Sequence, residues 1–385
     1  MINFNRLFYI GILLFSVAFL FIGNRIASQN MFEPEFEPMP VYSAVVIEIT
    51  ERDEEQLDFG WGYYVTSLRI FFDAQITSGE LLDEIVHAEF HEISMMELPL
   101  KEVEEGDKVL LIYHEHIGTF FFMDYVRINY IWILGGIFFV LIVIFGRKKG
   151  FNSIIALGFV CMAIFVVFIP AILSGMNIYI MAAIICAYSI VATLLIVIGP
   201  NKKATSAMLG CLGGVVFAGI LMMSMDSIMH LTGLVDSEAR SLLNIPLENS
   251  INIRAIIFAG VIIGSTGAIM DVAMSISSSL WELRQADIAS DFRSLFRSGI
   301  EIGKDILGTM LNTLILAYIG SSLSVILLLT ANATSFVDLF NREMIIVEFL
   351  RALVGSFGMF LTIPLTAAIC GWLYMRNEHK ERYTH

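Results

Sequence analysis

Charge is scarce in this chain: only 16% of its 385 residues are Asp, Glu, Lys or Arg, while 57% are hydrophobic. A soluble domain carries about 25% charged residues, so the composition excludes an ordinary soluble fold and points to a bilayer. Cysteine is scarcer still. Cys161, Cys186, Cys211 and Cys370 all lie in apolar stretches, which argues against a disulfide framework or a Cys-based zinc site and reads as small buried hydrophobes. Catalytic signatures are missing as well: there is no Gly-x-x-x-x-Gly-Lys-Ser/Thr loop, no Gly-x-Ser-x-Gly and no His-Glu-x-x-His. An enzyme is therefore not expected and no cofactor is called for. Any transport would run on a gradient, unless a partner supplies an ATPase.

The charge that is present is segregated. Between Met31 and Tyr125 there are 22 Asp and Glu against four Lys and Arg, a local net of −18, whereas the rest of the chain is mildly basic. An acidic module is thus joined to an apolar body. Such a module repels nucleic acid, which excludes that class of partner.

Runs of about 20 apolar residues mark membrane spans. Eight are expected: Leu7–Gly23, Ile128–Phe145, Ile154–Leu173, Ile178–Ile198, Ala204–Met223, Ala255–Leu280, Ile306–Leu329 and Ile345–Tyr374. With the N-terminus inside, the inner ends and loops collect Arg6, Arg147, Lys148, Lys149, Lys202, Lys203, Arg284, Arg293, Arg297, Lys304, Arg376, Lys380 and Arg382. The short outer loops hold only Arg240, Arg254 and Arg342. The positive-inside rule then predicts a multi-pass plasma-membrane protein with both termini cytoplasmic and the acidic module outside. Arg25 and the lack of a small-x-small cleavage site favour an uncleaved first helix over a signal peptide, and either leaves the module outside. The expected organisation is an anchor over 1–30, the acidic extracytoplasmic β domain over 31–126, a seven-helix membrane domain over 127–376 and a cytoplasmic tail over 377–385.

Within the module the hydrophobic period changes to two. Val41–Ile49, Tyr63–Ile76, Ile85–Ile93 and Val109–His114 read as strands, broken by Gly60-Trp61-Gly62, by Thr77-Ser78-Gly79 and by a turn at Glu105-Gly106-Asp107. About five short strands predict a small barrel of the OB or SH3 kind. Pro34, Pro38 and Pro40 make the link from the first span extended. His87-x-Glu89-x-His91 places three metal-capable side chains on one side of a strand, with His114 and His116 nearby. With no fourth ligand identifiable, the plainer reading is a solvated strand face, and no metal site is assigned.

The functional signal lies in the last three spans. Gly264, Gly267, Asp271, Ser275, Ser278 and Glu282 follow at steps of three and four, so a helix gathers them into one polar stripe. A carboxylate at the centre of a membrane helix costs roughly 2.5–3.5 kcal/mol on the insertion scale, so Asp271 is expected to have a partner or a task. In the next span Asp305, Gly308, Thr309, Asn312 and Gly320 share a face. In the last, Arg351, Gly355, Gly358, Thr362 and Thr366 do so around Pro364. Counting residues from the inner ends puts Asp271, Asn312 and Thr362 in one layer, with Arg351 nearer the outer face. The competing explanation is packing, since glycines such as Gly210 and Gly214 let helices approach and hydroxyls bond between them. Two amphipathic stretches complete the picture, Leu231–Leu243 outside, with Asp236 and Glu238 at its start, and Trp281–Gly299 inside.

The blocks Gly264–Glu282, Ile302–Tyr318 and Arg351–Thr366, together with Gly106-Asp-Lys-Val109 and Asp124-Tyr-Val-Arg127, resemble the YibE/F family of bacterial multi-pass membrane proteins. That resemblance implies a membrane location and no particular activity. The residues themselves lead to a secondary transporter or exporter of an unknown small solute or ion. Its expected site is Asp271, Ser275, Asp305, Thr309, Asn312, Arg351, Thr362 and Thr366. The alternatives are a non-enzymatic scaffold that binds partners through the acidic domain and, further off, an intramembrane enzyme. Whether the chain forms homo- or hetero-oligomers in its lipid bilayer stays open at this level.

Overall fold

The computed structural model describes residues 4–29, 39–58, 64–94, 101–115, 117–235, 237–243, 245, 251–286, 291–332 and 335–375. Pro34, Pro38, the Gly60–Gly62 break, His116, Asp236 and the basic tail from Arg376 lie outside them. The chain divides into two compact units. One combines residues 1–32 with 142–385, and the other is 33–141.

The second unit is a closed five-stranded barrel in the order β1-β2-β3-β5-β4, built from β1 (Val41–Asp58), β2 (Tyr64–Ile76), β3 (Ile85–Ser94), β4 (Lys108–His114) and β5 (Thr119–Tyr125). All pairings are antiparallel except β3 with β5. Alternation fills the inside with Ala44, Val46, Ile70, Phe72, Ala74, Val86, Ala88, Val109, Leu111 and Phe120. β1 and β2 continue past the barrel as a long hairpin on which Glu51, Asp53, Glu54 and Glu55 are exposed. The strand expected to end at Ile49 runs on to Asp58, with register shifts at Val46/Glu48 and Ile49/Glu51 taking up the bend while pairing continues. β5, which the periodicity did not separate from the loop before the second span, closes the barrel against both β3 and β4.

His87, Glu89 and His91 do lie on one side of β3, and each has a cross-strand neighbour on β2. His87 Nδ1 is 2.8 Å from Asp73 Oδ1, Glu89 is 4.0 Å from Arg69, and His91 Nε2 is 3.2 Å from the Ser67 hydroxyl. At the barrel's exit Arg127 Nη1 donates to both carboxylate oxygens of Asp124 at 2.7 Å. The Tyr125 hydroxyl donates to the Lys101 carbonyl at 2.9 Å, while the Lys101 ammonium sits 4.3 Å above the Tyr125 ring.

The first unit is helical. Its long elements are α1 (Phe4–Ala27), the part of α2 (Ile128–Met162) that follows Leu141, α4 (Ile178–Ile198), α5 (Lys202–Met229), α7 (Ile253–Ala286), α8 (Phe292–Ser321) and α11 (Glu343–Met375). A π-helical turn, Ala163–Phe168, links α2 to the short α3 (Ile169–Leu173); α6 (Ser237–Leu242), α9 (Leu323–Asn332) and α10 (Phe336–Asn341) are also short. Among the described residues seven helices are long and apolar enough to cross a membrane, against the eight spans expected. The difference lies at Ile128–Leu173, a 46-residue run that contains two of the expected spans. Arg147 interrupts it with φ 47° and ψ −126°, a left-handed φ that no α-helix tolerates. Gly150 lies directly against the Ile142 carbonyl, although eight residues of continuous helix would separate them by about 12 Å.

Two other boundaries differ from expectation. Asp291 accepts from the Ser294 amide at 2.8 Å and starts α8 at Phe292. Of the expected amphipathic stretch Trp281–Gly299, the first six residues therefore end α7 and Phe292–Gly299 begins the spanning helix α8, with 287–290 outside the described residues. The same helix stops at Ser321, and α9 takes the remaining apolar residues. All four cysteines are free, and Cys161 is exposed on the helix surface rather than buried.

α11 is the central helix, packed on α5, α7 and α8, and it runs through Pro364 without ending. At its start Glu343 accepts from the Thr232 and Gly233 amides, at 2.7 and 2.6 Å, and from the Thr232 hydroxyl, pinning the loop after α5.

In the barrel, the Tyr125 amide and then the Arg127 guanidinium hold the Asp124 carboxyl below the usual carboxylate range. A depressed carboxylate adds stability above its unfolded pKa, about 3.9, and that contribution is lost as pH falls through the folded value. ¹³C NMR of the Asp124 carboxyl in the full chain is expected to give a midpoint below about 3.9. Arg127→Ala should raise it only partway, because the backbone donor remains.

Candidate functional site

The eight expected site residues occupy three places. Thr362 and Thr366 are fully buried in the α5–α11 contact. Gly214 receives Thr362 and Gly210 receives Thr366, so closely that a Cβ at either glycine would overlap the threonine hydroxyl. Thr362 Oγ1 donates to the Gly358 carbonyl at 2.8 Å, while Thr366 Oγ1 is buried without a hydrogen-bond partner. Both threonines pack against glycines of α5, as the glycine spacing allowed.

Arg351 lies toward the other end of α11. Its Nη1 donates to Glu348 Oε1 at 2.5 Å, and Glu348 Oε2 is buried without a partner. Glu348 lines a cavity of about 210 Å³ together with Tyr318, Ile319, Leu339, Phe340 and Phe349. Glu348 lies three residues before Arg351 on one helix, so the pair was legible in the sequence.

The remaining five residues face outward. Asp271 and Ser275 are exposed on α7, and Gly260, Gly264 and Gly267 share that face. Asp305, Thr309 and Asn312 are exposed on α8, with Gly308 among them. Thr309 Oγ1 donates to the Ile306 carbonyl at 2.9 Å and Thr313 Oγ1 to the Thr309 carbonyl at 3.0 Å. Among the described residues Asp271 has neither a hydrogen bond nor an ion pair. Glu282, at the end of the stripe, is bound by Lys203 at 2.9 Å.

Depth follows from the contacts between helices. Gly299 of α8 lies against Leu280 of α7, and the Tyr318 hydroxyl of α8 lies near Gly264 of α7. The two helices are thus antiparallel. Advancing equally from these contacts brings Asp271 level with Thr309 and Ser275 level with Asp305. Gly214 of α5 touches both Ile269 and Thr362, which puts Thr362 within a turn of the same level. Asp271, Thr309 and Thr362 therefore occupy one layer, but Thr362 points into the bundle whereas Asp271 and Thr309 point out of it.

Elsewhere the bundle closes polar groups on one another. Ser206, Ser277 and Tyr374 form a buried hydroxyl knot between α5, α7 and α11, with oxygen–oxygen distances of 2.7, 2.8 and 3.1 Å. The Lys203 and Ser277 carbonyls accept the remaining donors at 2.8 and 3.0 Å. Sequence reasoning missed this knot because its three members are single residues on separate helices.

The family model described as YibE/F-like protein matches residues 134–376, which contain all eight of these positions and exclude the barrel. No curated protein and no solved structure matches the chain. With more than half its length covered, the chain belongs to the YibE/F-like family, and its apolar helices make it a multi-pass membrane protein.

If Thr362 is the residue that fits Gly214, Gly214→Leu should overpack the α5–α11 contact and lower the melting temperature of purified protein. The expected cost is about 1–3 kcal/mol. Thr362→Ala in the same chain should recover part of that loss, and Asp271→Asn none of it.

Proposed function

We propose that this YibE/F-like protein is a secondary transporter of the plasma membrane that moves a small ion or solute along the outward polar layer of α7 and α8. Asp271 takes up the proton or cation in this reading. One observation carries it. A carboxylate without a partner among the described residues sits midway along a 34-residue apolar helix, where such a group persists when it serves a pathway. Thr309, Asn312 and Asp305, at nearby depth on the neighbouring helix, supply the hydroxyl, amide and carboxylate oxygens that can replace a hydration shell. Arg351, held by Glu348 toward the far end, attracts an anion or braces a gate.

The orientation we assign has both termini in the cytoplasm and the barrel outside, on the positive-inside distribution of Lys and Arg. The reading requires no catalysis by the chain itself. Scaffolding is the competing reading, and the long acidic β1–β2 hairpin is the observation that favours it.

Flux into liposomes containing the purified chain, measured under imposed gradients against a panel of ions, tests the proposal. Asp271→Asn keeps the shape and removes the charge, so it should abolish flux while leaving membrane insertion and abundance intact. Thr366→Ser should leave flux largely unchanged. Failure of every ion and of a proton gradient to drive movement would leave scaffolding as the function.

A further inference from the structure

The outward polar faces of α7 and α8 pose a problem that a single chain does not solve. Lipid tails can neither hydrogen-bond Asp271 and Asn312 nor hydrate them, and intramembrane polar side chains almost always face protein or a water-filled cavity. The glycines sharpen the point. On the inner surfaces Gly210, Gly214, Gly299, Gly303, Gly355, Gly358 and Gly371 are each pressed against a neighbouring helix, used as points of close approach. Gly260 and Gly267 on α7, and Gly308 and Gly320 on α8, have open space where a Cβ would stand. All four are exposed, and Gly260, Gly267 and Gly308 belong to the polar faces. A helix from outside the chain is what such sites accept.

We propose that the helix is supplied by a second copy of this chain, which packs its α8 against the α7 of the first and its α7 against the first copy's α8. The inference rests on the reading of this layer as the working surface of the membrane unit, and it names what completes that surface. Two copies inserted in the same direction and related by a two-fold axis along the membrane normal keep every residue at its own depth. Self-association therefore works only if complementary groups on the two helices are already level, and here they are. Asp271, an acceptor without a partner, stands level with Thr309, and with Asn312 within a turn. Ser275, a donor, stands level with Asp305, an acceptor. The antiparallel run of α7 and α8 within one chain is repeated between copies, and the contact is isologous, so it closes at two. The translocation layer is then lined by α7 of one copy and α8 of the other, and each copy alone is incomplete.

The test uses full-length chains lacking native cysteines, co-expressed with two different tags. One carries Ser275→Cys and the other Asp305→Cys. Oxidation in the membrane should join the two tags through a disulfide. The pair Ser275→Cys with Leu316→Cys, displaced about 16 Å along α8, should not join. In parallel, the unmodified chain diluted into lipid bilayers should be counted in pairs by single-molecule bleaching. Monomers in the bilayer, equal yields from level and displaced pairs, or a cross-link to a different membrane protein in place of the second copy would each overturn the inference. Pairs without any flux would leave the dimer standing and remove the transport reading. Asp271-dependent flux from monomers would do the reverse.

Discussion

Lipid offers a polar side chain no hydrogen bond, and that constraint sorts the hydroxyls, amides and carboxylates of the helical unit into distinct fates. Some close on each other, as Ser206, Ser277 and Tyr374 do between α5, α7 and α11. Others fold back onto their own helix, as Thr266, Ser356 and Thr362 do by donating to the carbonyl four residues earlier. A third group is paired at the helix ends, where Lys203 meets Glu282 and Glu343 holds the loop at Thr232 and Gly233. Asp271 fits none of these, and its level on α7 coincides with the most polar stretch of α8. The functional argument follows from that carboxylate having none of these partners among the described residues.

The membrane body and the barrel obey different rules for the same reason. In the barrel, strand alternation separates an apolar interior from a solvated surface, so acidic residues can accumulate on the β1–β2 hairpin at little cost. In the body, Ser206, Ser277, Thr362 and Thr366 lie where helices cover them, and the outward layer of α7 and α8 is the exception. The close glycine contacts of α5 and α8 on α11 let backbones approach far enough for dispersion to hold the bundle where no hydrophobic driving force exists. Pro364 is tolerated in α11 because its ring costs one backbone bond within a helix that three neighbours support.

Much of this was legible in the residues. Apolar run length located the spans, period-two alternation located four of the five strands, and steps of three and four residues assembled the stripe through Asp271. Facing was not legible. The stripe of Arg351, Thr362 and Thr366 has the same small-and-polar signature as that of Asp271, yet one packs inward and the other points out. The missing signal was relational: Thr362 and Thr366 share the four-residue spacing of Gly210 and Gly214, which Asp271 and Ser275 do not meet with glycines within this chain. The expected break between Phe145 and Ile154 coincides with the positive φ of Arg147, whereas boundaries failed where local chemistry overrode hydropathy, at the Asp291 cap and the break after Ser321. The barrel's parallel β3–β5 pairing was invisible because it joins segments about 30 residues apart through no periodic signal.

The central claim is that Asp271 meets water or cargo rather than a sealed packing surface. Infrared difference spectroscopy of the reconstituted protein, acid minus base, reads this at the carboxyl itself. The account predicts a protonated-carboxyl band that Asp271→Asn removes and that shifts promptly on transfer to D₂O, because the group exchanges its proton with solvent. A spectrum without an Asp271-dependent band, or a band that keeps its position in D₂O, would contradict it.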